Sequence, residues 1–456
     1  MTELATRVSP PRAPLPRRAA PALLGYAAVR ALGLLVLAVW SAARGKSAHT
    51  LLTARWDSLW YTRVAEGGYG HTVRLPDGDI HSDLAFFPLL PWLERLLHAL
   101  TPLSYADAGL TVSLLASLAA AAGIFAVAER VYGARAGVCA VLLWAVLPVG
   151  VVQSMAYSES LFTALAAWSL YAVLTGRWVT AGLLAALAGL TRPVGLAVVA
   201  AVWVTGVISF VRERSAGGPH GARGEEHALA TGDEAHAERA RRADGAPDSV
   251  RAPSPATGTF AAPATPAALA TAVFPLAPAG PDTAGAAPHA SAARRALGMA
   301  LSPLGAAAYV LWVGHRTGRG PLGYLDVQAG WRNGFDGGYA FARFVADKFT
   351  SFPSALAGLG LIIGVALLIW LYVTCVRQRQ PLALLVYTGA VLALALCASS
   401  YFGSKPRLLL PAFPVLFPLA RSLARSRTAR SALVTAGLAA AAAAYGALWL
   451  NGSGPP

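Results

Sequence analysis

Long apolar runs alternate with short polar stretches along this chain, and the run lengths match a bilayer. About eleven runs are apolar enough to cross one: roughly 21–41, 107–128, 136–152, 158–175, 178–190, 194–211, 296–313, 354–376, 382–398, 408–420 and 431–450. A run of about 20 residues spans the ~30 Å hydrocarbon layer as a helix. The pattern predicts an all-α polytopic membrane protein. The 34 residues between Arg177 and Arg212 would make a single helix of about 51 Å at ~1.5 Å per residue, too long for one crossing. Two crossings fit if the chain turns tightly at Leu190-Thr191-Arg192-Pro193, where proline disfavours helical geometry at the residue before it. Arg192 is then expected at shallow depth beside a helix end, where a cation is costly unless something anionic meets it.

Composition agrees. Of 456 residues, 56% are hydrophobic and 13% charged, against about 25% charged in soluble domains. Mean hydropathy is +0.53. The net charge of +15 does not point to nucleic acid, because an excess of Lys and Arg in cytoplasmic loops produces it. The basic tail, with Arg7, Arg12, Arg17 and Arg18, abuts the first run and predicts a cytoplasmic N-terminus. That run is followed by no A-x-A-like site and reads as an uncleaved span. Alternation then puts Arg130/Arg135, Arg177, Arg212/Arg214, Arg294/Arg295, Arg377/Arg379 and the stretch 421–430 inside. Cys139, Cys375 and Cys397 lie in apolar runs, which argues against disulfides or a cysteine metal site.

Five parts follow. Residues 1–20 form a cytoplasmic tail, 21–211 an N-terminal transmembrane module with a long outer loop at 42–106, and 212–295 a linker. Residues 296–450 form a C-terminal transmembrane module and 451–456 a tail. The linker is rich in Ala, Pro, Gly and charge and lacks periodicity, so it is expected to be disordered. No internal repeat is evident.

With this topology the outer face collects the mixed chemistry. The loop 42–106 carries Trp56, Asp57, Trp60 and Tyr61, then Asp83, Phe86 and Phe87. Tyr157 and Glu159 form a second island, Arg192 a third, and Lys405 with Arg407 a fourth. A further outer loop, 314–352, adds His315, Arg316, Trp331, Arg332 and Asp336. Interfacial Trp and Tyr are ordinary in membrane proteins, but acids beside them are less so. Glycosyl transfer from a lipid-phosphate sugar fits this set. The departing lipid phosphate needs fixed cations, which Arg and Lys supply without a metal. The acceptor hydroxyl needs a base, which a loop carboxylate supplies. Attack opposite the phosphate inverts the anomeric centre. Asp77-Gly78-Asp79 spells D-x-D but sits in a Pro-Asp-Gly turn, so no metal or other cofactor is expected.

The segments ARWDSLWYTRVAEGGY, AFFPLLPWL, AYSESLF, GLLAALAGLTRPVGL and KPRLLLPAFP, in this order, resemble the PIG-V-type mannosyltransferases, relatives of the second mannosyltransferase of GPI assembly. The resemblance implies the GT-C glycosyltransferase fold, with short amphipathic helices in the first outer loop. It implies a polyprenyl-phosphate-mannose donor and an active site on the extracytoplasmic face of the cell membrane. A carboxylate of the first outer loop would be the base, which maps onto Asp57, with Asp83 in reserve. Arg192, Lys405 and Arg407 would contact the donor phosphate. Trp56, Trp60, Tyr61, Asp83, Phe87, Tyr157 and Glu159 would line the substrate site. The acceptor stays open: a glycan, a glycolipid or a protein. The competing classes are a transporter or flippase of polyprenyl-linked lipids, which would show midplane charges and repeats, and a non-catalytic scaffold.

Overall fold

The computed structural model describes residues 14–216, 288–399 and 401–452. The chain divides into two compact units, residues 1–206 with 292–456, and residues 207–291. Described parts of the second, 207–216 and 288–291, are helical. Most of the expected linker lies outside the described residues, as do 1–13 and 453–456 of the two tails. The linker's two ends are helix rather than coil, since Gly195–Ala216 continues past Arg212 and Pro288–Leu301 begins before Arg294.

The eleven predicted runs fall on helical segments, two of them broken by a turn, and they are not equal. Among the described residues, six helices are long and apolar enough to cross a membrane, and two bent pairs bring the number to eight. The six are Leu15–Ala43, Tyr105–Tyr132, Gly195–Ser215, Ala292–Thr317, Ser354–Arg377 and Thr428–Leu450. The remaining three runs are the shorter helices Ser158–Leu174, Trp178–Gly189 and Leu382–Cys397. Their 17, 12 and 16 residues rise about 26, 18 and 24 Å, less than the ~30 Å of a bilayer core. Ser158–Leu174 is buried along nearly its whole length, so it is enclosed by protein.

The helix Tyr105–Tyr132 organises this unit. Its start is fixed by Ser104, whose Oγ accepts from the Asp107 amide at 3.1 Å and caps the first turn. Its end is Gly133, whose φ of +90° suits a residue without a Cβ. It packs on Ala134–Ala145, Ser158–Leu174 and Leu15–Ala43. The first bent pair breaks by 89° between Ala134–Ala145 and Pro148–Ser154. Arg30, buried in the first helix, donates to the carbonyls of Ala145 and Gly150 at this break, satisfying acceptors that the interrupted helix leaves open.

A second crossing depends on glycine. A Cβ at Gly305 would collide with the Ala186 carbonyl, and one at Gly182 with the Gly298 carbonyl. Small residues let backbones meet this closely where lipid gives no hydrophobic drive. Gly305→Val is therefore expected to cost about 1–3 kcal/mol or more, because backbone cannot step aside. Gly360, which has nothing within 4 Å, serves as the control, and Gly360→Val should melt like the wild type in detergent. Equal melting of the two variants would contradict the packing.

The stretch 42–106 folds into more than amphipathic helices. It holds Ala48–Thr53, Asp57–Gly67 and Leu89–Leu100, and a hairpin pairing Thr72–Arg74 with Ile80–Ser82. Leu89–Leu100 is amphipathic in an inverted sense: Trp92, Leu96 and Leu100 are exposed, while Glu94 is fully buried. Both Glu94 carboxylate oxygens lack a partner, and burial pushes the carboxyl well above its usual range. The folded state thus holds a proton that the unfolded chain releases. The associated stability is complete below the unfolded carboxyl's range, near pH ~4.3, and is lost as pH rises through the raised folded value. Glu94→Gln should melt higher than the wild type at pH 8, with the gap closing towards pH 4. A pH-independent gap would contradict a buried neutral carboxyl.

Candidate active site

Four charged side chains from four separate parts of the sequence meet at the N-terminal end of Ser158–Leu174. Asp57 is the first residue of its helix, following Trp56, whose φ is +52°. Glu159 is the second residue of its own helix. Both carboxylates thus sit at the positive end of a helix dipole. Arg192 occupies the turn between Trp178–Gly189 and Gly195–Ala216, and Arg407 the short helix Lys405–Leu408.

The contacts form a chain. Arg407 Nη1 lies 2.7 Å from Asp57 Oδ2, and Arg407 Nε lies 3.7 Å from Glu159 Oε1. Arg192 Nη1 pairs with the same Glu159 oxygen and lies 3.3 Å from Ser158 Oγ. Ser158 Oγ is 2.8 Å from the Tyr61 hydroxyl. The Arg407 guanidinium lies 5.2 Å from the centre of the Tyr157 ring. Two carboxylates and two guanidiniums leave the cluster neutral, which offsets the cost of removing four charges from water. Burial works against the Arg192 charge, and the Glu159 carboxylate and the Tyr61 hydroxyl together more than compensate, raising its pKa. Burial likewise drives the Tyr61 hydroxyl far above its usual range, so it stays protonated.

Backbone bonds hold the pieces in register. The Ala156 amide donates to the Leu52 carbonyl at 3.0 Å, tying the segment before Asp57 to the one before Glu159. The Leu89 amide donates to the Leu190 carbonyl at 3.0 Å, which fixes the Arg192 turn under the loop. Trp144 and Tyr387 donate to the carbonyls of Leu410 and Pro411 and anchor the chain just beyond Arg407.

Exposure separates the two acids. The Asp57 side chain is 22% exposed and that of Glu159 2%. Asp57 can be reached from outside, whereas Glu159 is the shared counter-charge of two guanidiniums.

The other predicted residues are placed as follows. Lys405 is not brought to the cluster. Its ammonium donates to the carbonyls of Ala395 and Ala398 at 2.9 and 2.7 Å and lies against Phe341 and Phe402. Asp83 is fully buried, and its Oδ2 accepts from the amides of Gly70 and His71 at 2.9 and 2.8 Å. Tyr157 is fully buried beneath Arg407. Phe87 packs on Tyr309 and Tyr324, joining the loop to the helix Leu304–Thr317. Trp56 lies under the Arg55 guanidinium. Trp60 stacks on Phe86 and meets Trp331 edge-on at 5.0 Å.

The loop 314–352 does more than the sequence suggested. Trp331 stacks on His81 at 3.9 Å and donates to the Ser82 carbonyl. Arg332 engages Asp79 and, at 2.6 Å, Asp77. The D-x-D carboxylates therefore clamp a guanidinium. No metal-holding group of three or more His, Cys, Asp or Glu occurs among the described residues. The sequence signal for this docking was the adjacent Trp-Arg pair in an otherwise irregular outer loop.

Residues 84–219 match a family model described as dolichyl-phosphate-mannose-protein mannosyltransferase. The match covers less than a third of the chain. It takes in Tyr157, Glu159 and Arg192, but starts after Asp57 and stops before Arg407. Its description, like the family that the motifs resemble, names a mannosyltransferase. No curated protein matches. Among solved structures, the chain is similar to the crystal structure of ArnT from Cupriavidus metallidurans bound to undecaprenyl phosphate. Identity is 15%, the TM-score 0.46, and the match covers 90% of this chain and 61% of that one. The chain thus spans about three fifths of the length of the structure it matches.

Proposed function

We propose that this chain is a membrane-embedded, inverting glycosyltransferase of the GT-C type. It moves a sugar, mannose in the first instance, from a polyprenyl-phosphate donor to an acceptor at the outer membrane face. The observation that carries the reading is the Asp57–Arg407–Glu159–Arg192 chain, with its most exposed member a carboxylate. The family description matched by residues 84–219 supports the choice of donor.

Each residue then has a role. Asp57 takes the proton from the attacking acceptor hydroxyl. The new bond forms at the anomeric carbon as its bond to the phosphate oxygen breaks. The electron pair leaves with the lipid phosphate, whose added charge falls on Arg407 and Arg192. Glu159 keeps both guanidiniums oriented before the donor arrives. Arg407 also links acid and phosphate, since its Nη1 lies 2.7 Å from Asp57 Oδ2. Tyr61, held by Ser158, sets the floor beside Arg192, and Trp60 offers a ring at the rim.

The test supplies purified chain in nanodiscs with membranes from cells lacking it, as a source of acceptor. Labelled mannose is offered as polyprenyl-phosphate mannose or as GDP-mannose. Transfer from the lipid donor alone is expected. Transfer from the nucleotide donor, or from neither, would overturn the reading.

A further inference from the structure

A second charged site lies at the other end of the helix Tyr105–Tyr132. Near its start, Ser113 donates to the Tyr157 carbonyl at 2.7 Å, marking the depth of the acid–guanidinium cluster. Tyr132 lies 19 residues further on, about 28 Å away at ~1.5 Å per residue. The two sites thus lie about the thickness of a bilayer core apart along this helix.

There, a cleft of about 540 Å³ opens between the turn at Gly133 and the amphipathic helix Phe417–Arg425. This is within the ~300–1,000 Å³ typical of small-molecule sites. Arg135, Arg421 and Arg425 line it, and the described residues that line it include no carboxylate. None of the three arginines is ion-paired among the described residues. Arg135 reaches across the cleft to the Ser426 carbonyl at 2.6 Å, and Arg421 lies 5.4 Å from the centre of the Tyr132 ring. Two of the three cations are thus preset without an anion. The cleft also sits where the apolar helix Tyr105–Tyr132 ends and the apolar helix Thr428–Leu450 begins, as a headgroup site would. Its walls between the arginines are apolar: Val131, Ala134 and Ala424.

We infer that this cleft binds the phosphate of an anionic phospholipid from the leaflet opposite the active site. Three guanidiniums match a phosphodiester's oxygens, and the apolar walls accept the glycerol and upper acyl chain. Basic pockets between transmembrane helices are suited to such headgroups. The site is independent of the proposed transfer chemistry.

Native mass spectrometry of the full chain, titrated with phosphatidylglycerol, phosphatidylcholine or inorganic phosphate, tests this. Phosphatidylglycerol is expected to bind best. Arg425→Gln should weaken it about fivefold, and the triple variant Arg135→Gln/Arg421→Gln/Arg425→Gln about 100-fold. The exposed pair Arg74→Gln/Arg343→Gln, which lies outside the cleft, should bind like the wild type. Arg425→Gln with unchanged melting separates lost binding from lost folding. Equal binding of the two lipids, unaltered binding by Arg425→Gln and the triple variant, or equal losses in the control pair would overturn the site. Displacement of the lipid by inorganic phosphate at equal concentration would overturn the assignment to a lipid.

Discussion

Asp57→Asn is expected to lower sugar transfer by about 10²–10⁴-fold, the usual contribution of a positioned general base. The substitution keeps the shape and removes the proton acceptor. It also leaves Arg407 with Glu159, 3.7 Å away, as its remaining carboxylate neighbour, so donor binding should survive. Steady-state kinetics in nanodiscs should show a collapse of kcat with KM changed little, and melting close to the wild type. An Asp57→Asn protein with wild-type kcat would remove the residue from the mechanism. Asp83→Asn is the informative partner. That carboxylate is fully buried and bonded to two backbone amides, so its loss should lower stability rather than kcat.

The second large effect concerns the leaving group. Arg407→Gln is expected to reduce kcat by about 10²–10³-fold, the scale measured when one preorganised donor to a developing oxyanion is removed. The charge on the lipid phosphate grows as the glycosidic bond breaks, so the loss falls on kcat more than on KM. Arg407→Lys should not restore the rate, since one ammonium cannot span Asp57, Glu159 and a phosphate as a planar guanidinium does. Arg192→Gln should behave similarly. The double variant should lose less than the product of the single losses, because both arginines share Glu159. A melting change with kcat intact would assign the pair a structural role alone.

Much of this arrangement was legible because hydrophobic run length reports helices directly, although the runs 136–152 and 408–420 are each broken by a turn. The convergence of Asp57, Glu159, Arg192 and Arg407 was legible from topology, which places separate polar islands on one face. Three things were not. The number of crossings is a matter of helix length in space, and the 12 residues of Trp178–Gly189 are too few to cross the hydrocarbon layer unaided. Lys405 and Arg407 looked equivalent in sequence, yet residues two apart on a helix face different ways, so one turns to Asp57 and the other to the carbonyls of Ala395 and Ala398. The partners of Asp83 are backbone amides, and those of Asp77 and Asp79 come from Arg332. Neither backbone donors nor a partner about 250 residues away leaves a local pattern to read.

In the proposed reaction these four side chains surround a bond between a sugar and a lipid phosphate. Phosphorus NMR of polyprenyl-phosphate mannose in nanodiscs, with acceptor membranes present, observes that bond. The wild type should convert the phosphodiester signal to a monoester, and Asp57→Asn should do so at least about 100-fold more slowly. A diester that the wild type leaves intact, or that both proteins convert at one rate, would contradict the proposed reaction.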